Sequence, residues 1–265
     1  MNYQFLQLEQ QDQVMTVWMD RAERHNAFNT EVIEELYHCF QFLHQHPDIR
    51  VVILASRGKN FSAGADLNWM KQAGAASVQE NQADAFKLAQ MLHCLASLKQ
   101  PTIARVQGIA FGGGMGLAAA CDICVATDDA QFATSEVRLG LAPSTISPYV
   151  IRAIGARQAS RYFLTAERIS AQHAKNIGLV HEVTTIEQLD STIAQLVDSL
   201  LLGAPLAQSA SKQLIQMVSQ HELNIQLLQF TAQHIADIRQ GDEAKQGLNA
   251  FLNKQTPAWI KTTAE

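Results

Sequence analysis

Residues 108–127 read GIAFGGGMGLAAACDICVAT, and this stretch decides how the chain folds. Four glycines, Gly112, Gly113, Gly114 and Gly116, stand just before an alanine-rich run that otherwise favours a helix. Helix propensity does not account for them, because glycine costs a helix interior about 1 kcal/mol relative to alanine. Glycines at this place allow either a packed neighbour or a ligand to approach the backbone closely.

The glycines follow a strand-like run and precede a helix, as they do in nucleotide-binding loops. A G-x-G-x-x-G motif that began at Gly112 would need glycine at position 117, where Leu117 stands, and no Gly-Lys-Ser/Thr sequence follows. The first turn of a helix can instead offer unpaired N–H groups and the positive end of the dipole to a negatively charged oxygen. An oxyanion hole has this design. Close helix packing explains the glycine content of this stretch equally well.

A second stretch, NFSAGADLNWM (60–70), follows the strand-like run VVILAS (51–56). Gly64 and Ala65 have no large side chain to shield their N–H groups. Two such loops can converge on one carbonyl oxygen, so the pair favours the oxyanion hole over packing alone.

Strand-like and helix-like runs alternate through the first two thirds of the chain, which predicts an α/β core. The predicted strands are VMTVWM (14–19), VVILAS (51–56), TIARVQG (102–108) and ICVAT (123–127), and amphipathic helices are predicted near 30–46 and 80–98. Their apolar faces are Val32, Leu36 and Cys39, then Ala85, Leu88, Leu92 and Leu95.

After Val183 the pattern changes to helices only, near 186–202, 205–219, 223–239 and 242–252. A helical segment of about 60 residues buries little surface alone. We therefore expect it to pack on the core or against another subunit.

The net charge of −5 gives no general attraction to nucleic acid or to anionic membranes. The first residues contain no basic segment followed by an apolar one, and the apolar run 108–121 is too short to cross a bilayer. These features predict a cytoplasmic protein without a membrane span.

Cys121 and Cys124 form a C-x-x-C pair, which can indicate zinc or redox chemistry. No second pair accompanies it, and the histidines show no ligand spacing. We interpret the pair as ordinary buried thiols and predict no metal.

These stretches, with RAERHNAFN (21–29), AQFATSEVRLGLAP (130–143) and AERISAQHAKNIGLVHEV (166–183), resemble the crotonase, or enoyl-CoA hydratase/isomerase, superfamily over nearly the whole chain. The resemblance implies an α/β fold, a crotonase-like spiral of ββα units over residues 1–200. A C-terminal helical trimerisation region over 201–265 would follow, assembled as a homotrimer or a dimer of trimers. The implied substrate is an acyl-CoA thioester, which carries coenzyme A itself, so no separate cofactor is expected.

The resemblance also implies roles for individual residues. The N–H groups of Ala65 and Gly113 would bind the thioester oxygen, and Glu136 would move a proton at the α-carbon or at a nearby water. Hydratases of this family usually carry a second glutamate where this chain has Gly116. We therefore expect Gly116 to leave volume for the acyl chain.

The same resemblance places coenzyme A at Glu23, Arg24, His25, Ala27, Ala63 and Asp66. Lys254 matches a C-terminal lysine that approaches the CoA phosphates from a neighbouring subunit, although a solvated surface lysine is an equally good interpretation. The implied acyl pocket contains Gly116, Trp69, Ser144 and Tyr149. Ser144, Thr145, Ser147 or Tyr149 could assist Glu136 with the water, and the sequence does not choose among them.

The segments GADLNWMKQ (64–72) and LGLAPSTISPYVIRAIGARQASRYFLTAERI (139–169) resemble bacterial methylglutaconyl-CoA and isohexenylglutaconyl-CoA hydratases of leucine, isovalerate and acyclic-terpene degradation. They predict hydration of a branched 2-enoyl-CoA, 3-methylglutaconyl-CoA. A double-bond isomerase or a general short-chain hydratase is the alternative, and an RNA-binding protein is a more distant one. Arg138 and Arg152 are candidates for the distal carboxylate of the substrate, and both are equally well explained as surface arginines.

Overall fold

The computed structural model of the chain describes residues 3–260. The first two residues of the predicted core (1–200) and the last five of the predicted helical region (201–265) lie outside the described residues.

A six-stranded sheet forms the centre of the molecule, in the order β1-β2-β3-β4-β6-β9. Its strands are β1 (Leu6–Gln11), β2 (Val14–Met19), β3 (Val51–Ser56), β4 (Thr102–Val106), β6 (Ile123–Thr127) and β9 (Glu182–Thr184). The first two strands pair antiparallel, and the other neighbours are parallel. Each parallel step therefore needs a crossover, and the helices supply it.

A smaller sheet lies beside the crossovers and has the order β5-β7-β8. Its strands are β5 (Ile109–Phe111), β7 (Gln131–Ala133) and β8 (Ile169–Ser170). β5 leads directly into the glycine-started helix α4 (Gly113–Ala120), which returns the chain to β6. The α/β spiral predicted from the sequence is therefore confirmed.

The remaining helices are α1 (Thr30–His44), α2 (Leu67–Ala75), α3 (Val78–Ala96), α5 (Ser147–Thr165), α6 (Ala171–Asn176), α7 (Leu189–Leu202), α8 (Pro205–Ser219), α9 (Ile225–Gln240) and α10 (Asp242–Leu252). Local sequence fixes several starts. The side chain of Asn29 accepts the N–H of Val32 at the start of α1, and Ser77 with Glu80 forms a capping box on α3.

Apolar residues fill both faces of the central sheet. On one face the main core includes Leu36, Phe40, Leu92 and Met115, all fully buried. On the other face α7 packs Leu189, Ile193 and Val197 over Val51, Ile103 and Val125. Helices on both faces account for strands that are apolar over nearly their whole length, such as β3, in which Ser56 is the single polar residue.

Four predicted strands and the helices α1, α3 and α7–α10 are confirmed, with ends that differ by a few residues. Ala85 is exposed, so placing it on the buried face of α3 was wrong, because that face begins at Leu88. All four cysteines are buried free thiols, as predicted. Burial raises the pKa of Cys39 to about 12 and that of Cys94 to about 11.

The C-terminal helices are tied to the core by two cations. The buried Arg50 donates to the carbonyls of Gly203 and Trp259, and Lys212 on α8 forms an ion pair with Asp122 at 2.6 Å. Large apolar side chains on these helices remain exposed in the single chain, among them Leu206, Ile215, Ile225, Phe251 and Leu252. Within residues 3–260, no helix combines the length and apolarity that a bilayer crossing requires.

Candidate active site

Two loops run side by side where the strands β2 and β3 end. The N–H of Phe28 donates to the carbonyl of Gly64 at 2.6 Å, and the N–H of Asp66 donates to the carbonyl of Phe28 at 2.7 Å. These two bonds form an isolated parallel bridge between Phe28 and Ala65. The segment 25–28 therefore holds the loop around Ala65 on both sides.

A third segment, residues 109–111, binds the same loop at Ser62. The N–H of Ser62 donates to the carbonyl of Ile109, and the N–H of Phe111 donates to the carbonyl of Ser62, both at 3.0 Å. Because Phe111 is followed directly by Gly112 and α4, this pairing places the Ala65 loop next to the start of that helix.

The glycines at this junction are required by the backbone. Gly64 and Gly112 have φ of +91° and +49°, and a Cβ on Gly64 would lie 2.9 Å from the carbonyl oxygen of Phe111. Within residues 3–260, no acceptor takes the N–H of Ala65 or of Gly113. The N–H of Gly113 lacks an intrahelical acceptor because this residue begins α4.

Glu136 lies beside these glycines. The N–H of Gly112 donates to the carbonyl of Ala133 at 2.8 Å, which fixes the end of β7 next to the helix start. Three residues later Glu136 begins a 3₁₀ turn, Glu136–Leu139. Its Oε1 lies 3.2 Å from the position that a Cβ on Gly112 would take. The structure therefore brings the predicted acid/base residue to the start of α4.

The carboxyl group of Glu136 is half-buried, and its Oε2 is buried with no hydrogen-bond partner among the described residues. Burial raises its pKa. A carboxyl group with one unpartnered oxygen and a raised pKa, placed against the glycine that precedes α4, is suited to exchange protons with a bound molecule.

The space beside Gly116 is filled. A Cβ on Gly116 would lie 2.9 Å from the Cβ of Ile146 and closer still to its Cγ2. Ile146 is buried and directly precedes α5, which packs across α4. The expectation that Gly116 leaves open volume for the acyl chain is therefore wrong. Sequence reasoning missed Ile146, and its one signal was an apolar residue within the polar run PSTISPY.

The chain matches the enoyl-CoA hydratase/isomerase family over residues 9–262. It belongs to this family. A putative enoyl-CoA hydratase from Thermus thermophilus is 30% identical to this chain. The matched region covers 92% of this chain and 96% of the Thermus protein.

Two solved structures of family members resemble the fold. A putative enoyl-CoA hydratase/isomerase from Legionella pneumophila superposes with a TM-score of 0.90 and is 41% identical. The match covers 96% of this chain and 98% of the Legionella chain. An enoyl-CoA hydratase from Shewanella pealeana is 39% identical with a TM-score of 0.94, covering 96% of each chain. These relatives are named enoyl-CoA hydratases, which are hydro-lyases that act on acyl-CoA thioesters.

Except for Lys254, the residues predicted to contact coenzyme A lie on the two hydrogen-bonded segments 23–27 and 63–66, which form a rim around Ala65. Glu23, Arg24 and His25 are exposed in and after the 3₁₀ turn Ala22–Arg24, and the N–H of Ala63 donates to the carbonyl of His25 at 2.9 Å. Ala27 is buried beneath this rim. Lys254 is exposed just after α10, and its contact with coenzyme A remains a prediction.

The side chain of Asp66 bonds to other residues of the protein. It is buried, forms an ion pair with Arg21 at 3.0 Å and accepts the N–H groups of Asn68 and Trp69 at the start of α2. Burial raises the pKa of Asp66, but these two backbone bonds and Arg21 outweigh that effect, so its pKa lies below the usual value. Asp66 therefore joins the rim to α2 as a carboxylate.

We expect Asp66→Asn to lower the free energy of unfolding by about 1–3 kcal/mol, because the amide can cap α2 but leaves a half-buried Arg21 without its charge partner. Urea unfolding at pH 7 measures the loss. The difference in unfolding free energy between the wild type and the variant should shrink as the pH falls below about 4, the ordinary pKa of aspartate. It should vanish below the lower pKa that Asp66 has in the folded protein, because the carboxylate is then protonated. A constant difference down to pH 2 would contradict the role of the charge.

The other predicted acyl-pocket residues lie around the same helices. Trp69 donates from Nε1 to Asp84 at 2.6 Å and so fastens α2 to α3. Ser144 is exposed, while Tyr149 is half-buried and burial raises its pKa. Among the described residues, no hydroxyl of Ser144, Thr145, Ser147 or Tyr149 donates to Glu136.

The two candidate arginines are separated. Arg138 is exposed on the same 3₁₀ turn as Glu136. Arg152 lines a cleft of about 680 Å³ at the other end of α4, together with Ala118 and Lys212. The structure thus places Arg138, but not Arg152, on the element that carries Glu136.

Proposed function

We propose that the enzyme adds water across the 2,3 double bond of a branched 2-enoyl-CoA, 3-methylglutaconyl-CoA. The observation that carries the proposal is the position of the Glu136 carboxyl group against Gly112. Gly112 lies between the Gly64–Ala65 loop and Gly113, and the N–H groups of Ala65 and Gly113 have no acceptor among the described residues. In the balanced reaction, the oxygen of water bonds to C3 and one proton is added at C2.

In this mechanism the thioester oxygen accepts the N–H groups of Ala65 and Gly113. Charge develops on that oxygen as the enolate forms, and one pre-fixed donor stabilises such a transition state by about 3 kcal/mol. The positive end of the α4 dipole adds to this effect. Glu136 donates or accepts the proton. Its raised pKa lies closer to neutral pH than that of an ordinary glutamate, so both protonation states are more readily available.

The filled space at Gly116 favours a second candidate function, that of an enoyl-CoA isomerase. Because Ile146 packs where another carboxylate would stand, Glu136 is the single carboxylate that we assign to the reaction. One carboxylate can move a proton between two carbons of the substrate, which is the reaction of an enoyl-CoA isomerase.

The branched acyl group is supported by the resemblance of residues 64–72 and 139–169 to methylglutaconyl-CoA hydratases. Trp69, Ser144 and Tyr149 are proposed to line the acyl pocket, with Glu23, Arg24 and His25 at the CoA rim. Arg138 is the arginine that we propose for the distal carboxylate, because it shares its turn with Glu136. The exposed apolar side chains of α8–α10 support a homotrimer or a dimer of trimers.

A substrate panel tests the proposal. We expect hydration of 3-methylglutaconyl-CoA with a kcat/KM above that for crotonyl-CoA, and slower or no conversion of an unbranched 3-enoyl-CoA. Loss of the enoyl absorbance measures hydration, and chromatography separates hydrated from isomerised products. If the enzyme isomerises the 3-enoyl thioester and hydrates none of the substrates, the proposed function is that of an isomerase and not of a hydratase. A preference for crotonyl-CoA would retain the hydratase and remove the branched substrate.

A further inference from the structure

We infer that Phe28 is the positioning residue that sets the direction of both proposed oxyanion donors. The inference rests on the proposed function, because it concerns how Ala65 and Gly113 are held to receive a thioester oxygen. Phe28 is 1% exposed, so it acts from beneath the site and does not touch a substrate.

The backbone of Phe28 controls Ala65. The carbonyl of Gly64 and the N–H of Ala65 belong to one planar peptide unit, and in a trans peptide they point in opposite directions. Since the N–H of Phe28 binds that carbonyl at 2.6 Å, the N–H of Ala65 must point away from segment 25–28. The bond from the N–H of Asp66 to the carbonyl of Phe28, at 2.7 Å, fixes the following peptide as well.

The side chain of Phe28 controls Gly113. A Cβ on Gly113 would lie 2.5 Å from Cε2 and 2.7 Å from Cδ2 of the Phe28 ring, so the ring packs directly against the Cα of Gly113. This contact explains the absence of a side chain at position 113. It also prevents the first residue of α4 from moving toward the core.

One residue thus holds both donors, through its backbone on one side and through its ring on the other. Oxyanion stabilisation depends on donors that are fixed in advance, and displacements of about 0.5 Å already weaken such a site. Shortening or reshaping the ring should therefore disturb the helix start at Gly113 while the bonds around Ala65 remain, which separates the two donors.

The experiment compares Phe28→Leu with Phe40→Leu, a matched change at another fully buried phenylalanine, on α1. The probe is butyryl-CoA labelled with ¹³C at the thioester carbonyl, because a saturated acyl group cannot be hydrated. Infrared difference spectroscopy measures how far binding lowers the carbonyl stretching frequency, which reports hydrogen bonding to that oxygen. Steady-state kinetics on the enoyl-CoA substrate supplies kcat and KM.

We expect the wild type to lower the carbonyl frequency and Phe28→Leu to lose at least half of that effect. Its kcat should fall about 10-fold or more with KM changed by less than about threefold, because the lost interaction is strongest in the transition state. Phe40→Leu should match the wild type in both readouts. If Phe28→Leu does not fold, Phe28→Met serves in its place, because the flexible methionine side chain adapts to an irregular space.

Retention of the full frequency shift by the Phe28 variants, or an equal loss in Phe40→Leu, would overturn the inference and leave the proposed function intact. A wild type that binds butyryl-CoA without lowering the carbonyl frequency would overturn the proposed oxyanion site, and the role of Phe28 with it.

Discussion

Glu136→Gln should lower kcat/KM for the enoyl-CoA substrate by about 10²-fold or more, the contribution typical of a positioned acid/base group. The amide has nearly the same shape, so CoA-ester binding should persist. The variant should unfold at a temperature no lower than the wild type, because an uncharged amide costs less than a carboxylate at a half-buried position where Oε2 has no partner. Steady-state kinetics, thermal unfolding and titration with butyryl-CoA measure the three quantities.

The pH dependence follows from the raised pKa. Burial keeps the Glu136 carboxyl group protonated to a higher pH than the ordinary value of about 4.3, so the wild-type kcat/KM profile should show a protonation step above that value. The folded state binds this proton more tightly than the unfolded state does. The free energy of unfolding should therefore fall as the pH rises through the folded pKa, and Glu136→Gln should lack this fall.

Glu222→Gln is the matched control, because Glu222 is exposed between α8 and α9. It should leave both the activity and the pH profile unchanged. Near-normal turnover in Glu136→Gln would remove Glu136 from the mechanism.

Gly116→Glu should yield little folded enzyme, and activity on branched and unbranched substrates should fall together. Any side chain at position 116 overlaps Ile146, and overpacking typically costs about 1–3 kcal/mol. A carboxylate confined in this buried place costs more. Urea unfolding measures the stability, and kcat/KM for 3-methylglutaconyl-CoA and crotonyl-CoA is measured on the same soluble preparation.

A double-mutant cycle isolates the packing term. Gly116→Ala should destabilise through overlap with Ile146, and Ile146→Ala should destabilise by about 2–5 kcal/mol through the cavity that it leaves. The double variant should be more stable than the sum of the two losses predicts, because the added methyl group occupies part of that cavity. A Gly116→Glu protein with wild-type stability and a preference for crotonyl-CoA would instead show that the space is available to the acyl chain.

The sequence predicted the close approach at α4 because its glycines contradict helix propensity, and such a contradiction indicates a neighbouring group. At Gly113 that neighbour is the ring of Phe28, and at Gly116 it is Ile146. The same signal did not reveal what fills the space, because Ile146 lies 30 residues further along the chain and only the fold brings it to α4. The interpretation of Gly116 as acyl-chain volume failed for this reason.

Strand prediction succeeded where both faces of the sheet are covered, as in β3, since the strand is then apolar apart from its last residue. It missed β1, an edge strand whose outer positions are polar, and strands of two or three residues such as β5 and β8. Glu136 could be found only through the resemblance. Nothing in its own sequence distinguishes it from a surface glutamate, because its burial depends on Gly112, 24 residues earlier.

The three side-by-side segments at the site have an evolutionary consequence. The groups proposed to polarise the substrate carbonyl belong to the main chain, so only a replacement by proline, which has no N–H, can delete them directly. Other replacements can affect them indirectly, by removing the space that Gly113 provides or the Phe28 ring that packs against it. A lineage can therefore exchange most of its side chains and keep these main-chain donors. New acyl specificities can then arise without rebuilding the reaction.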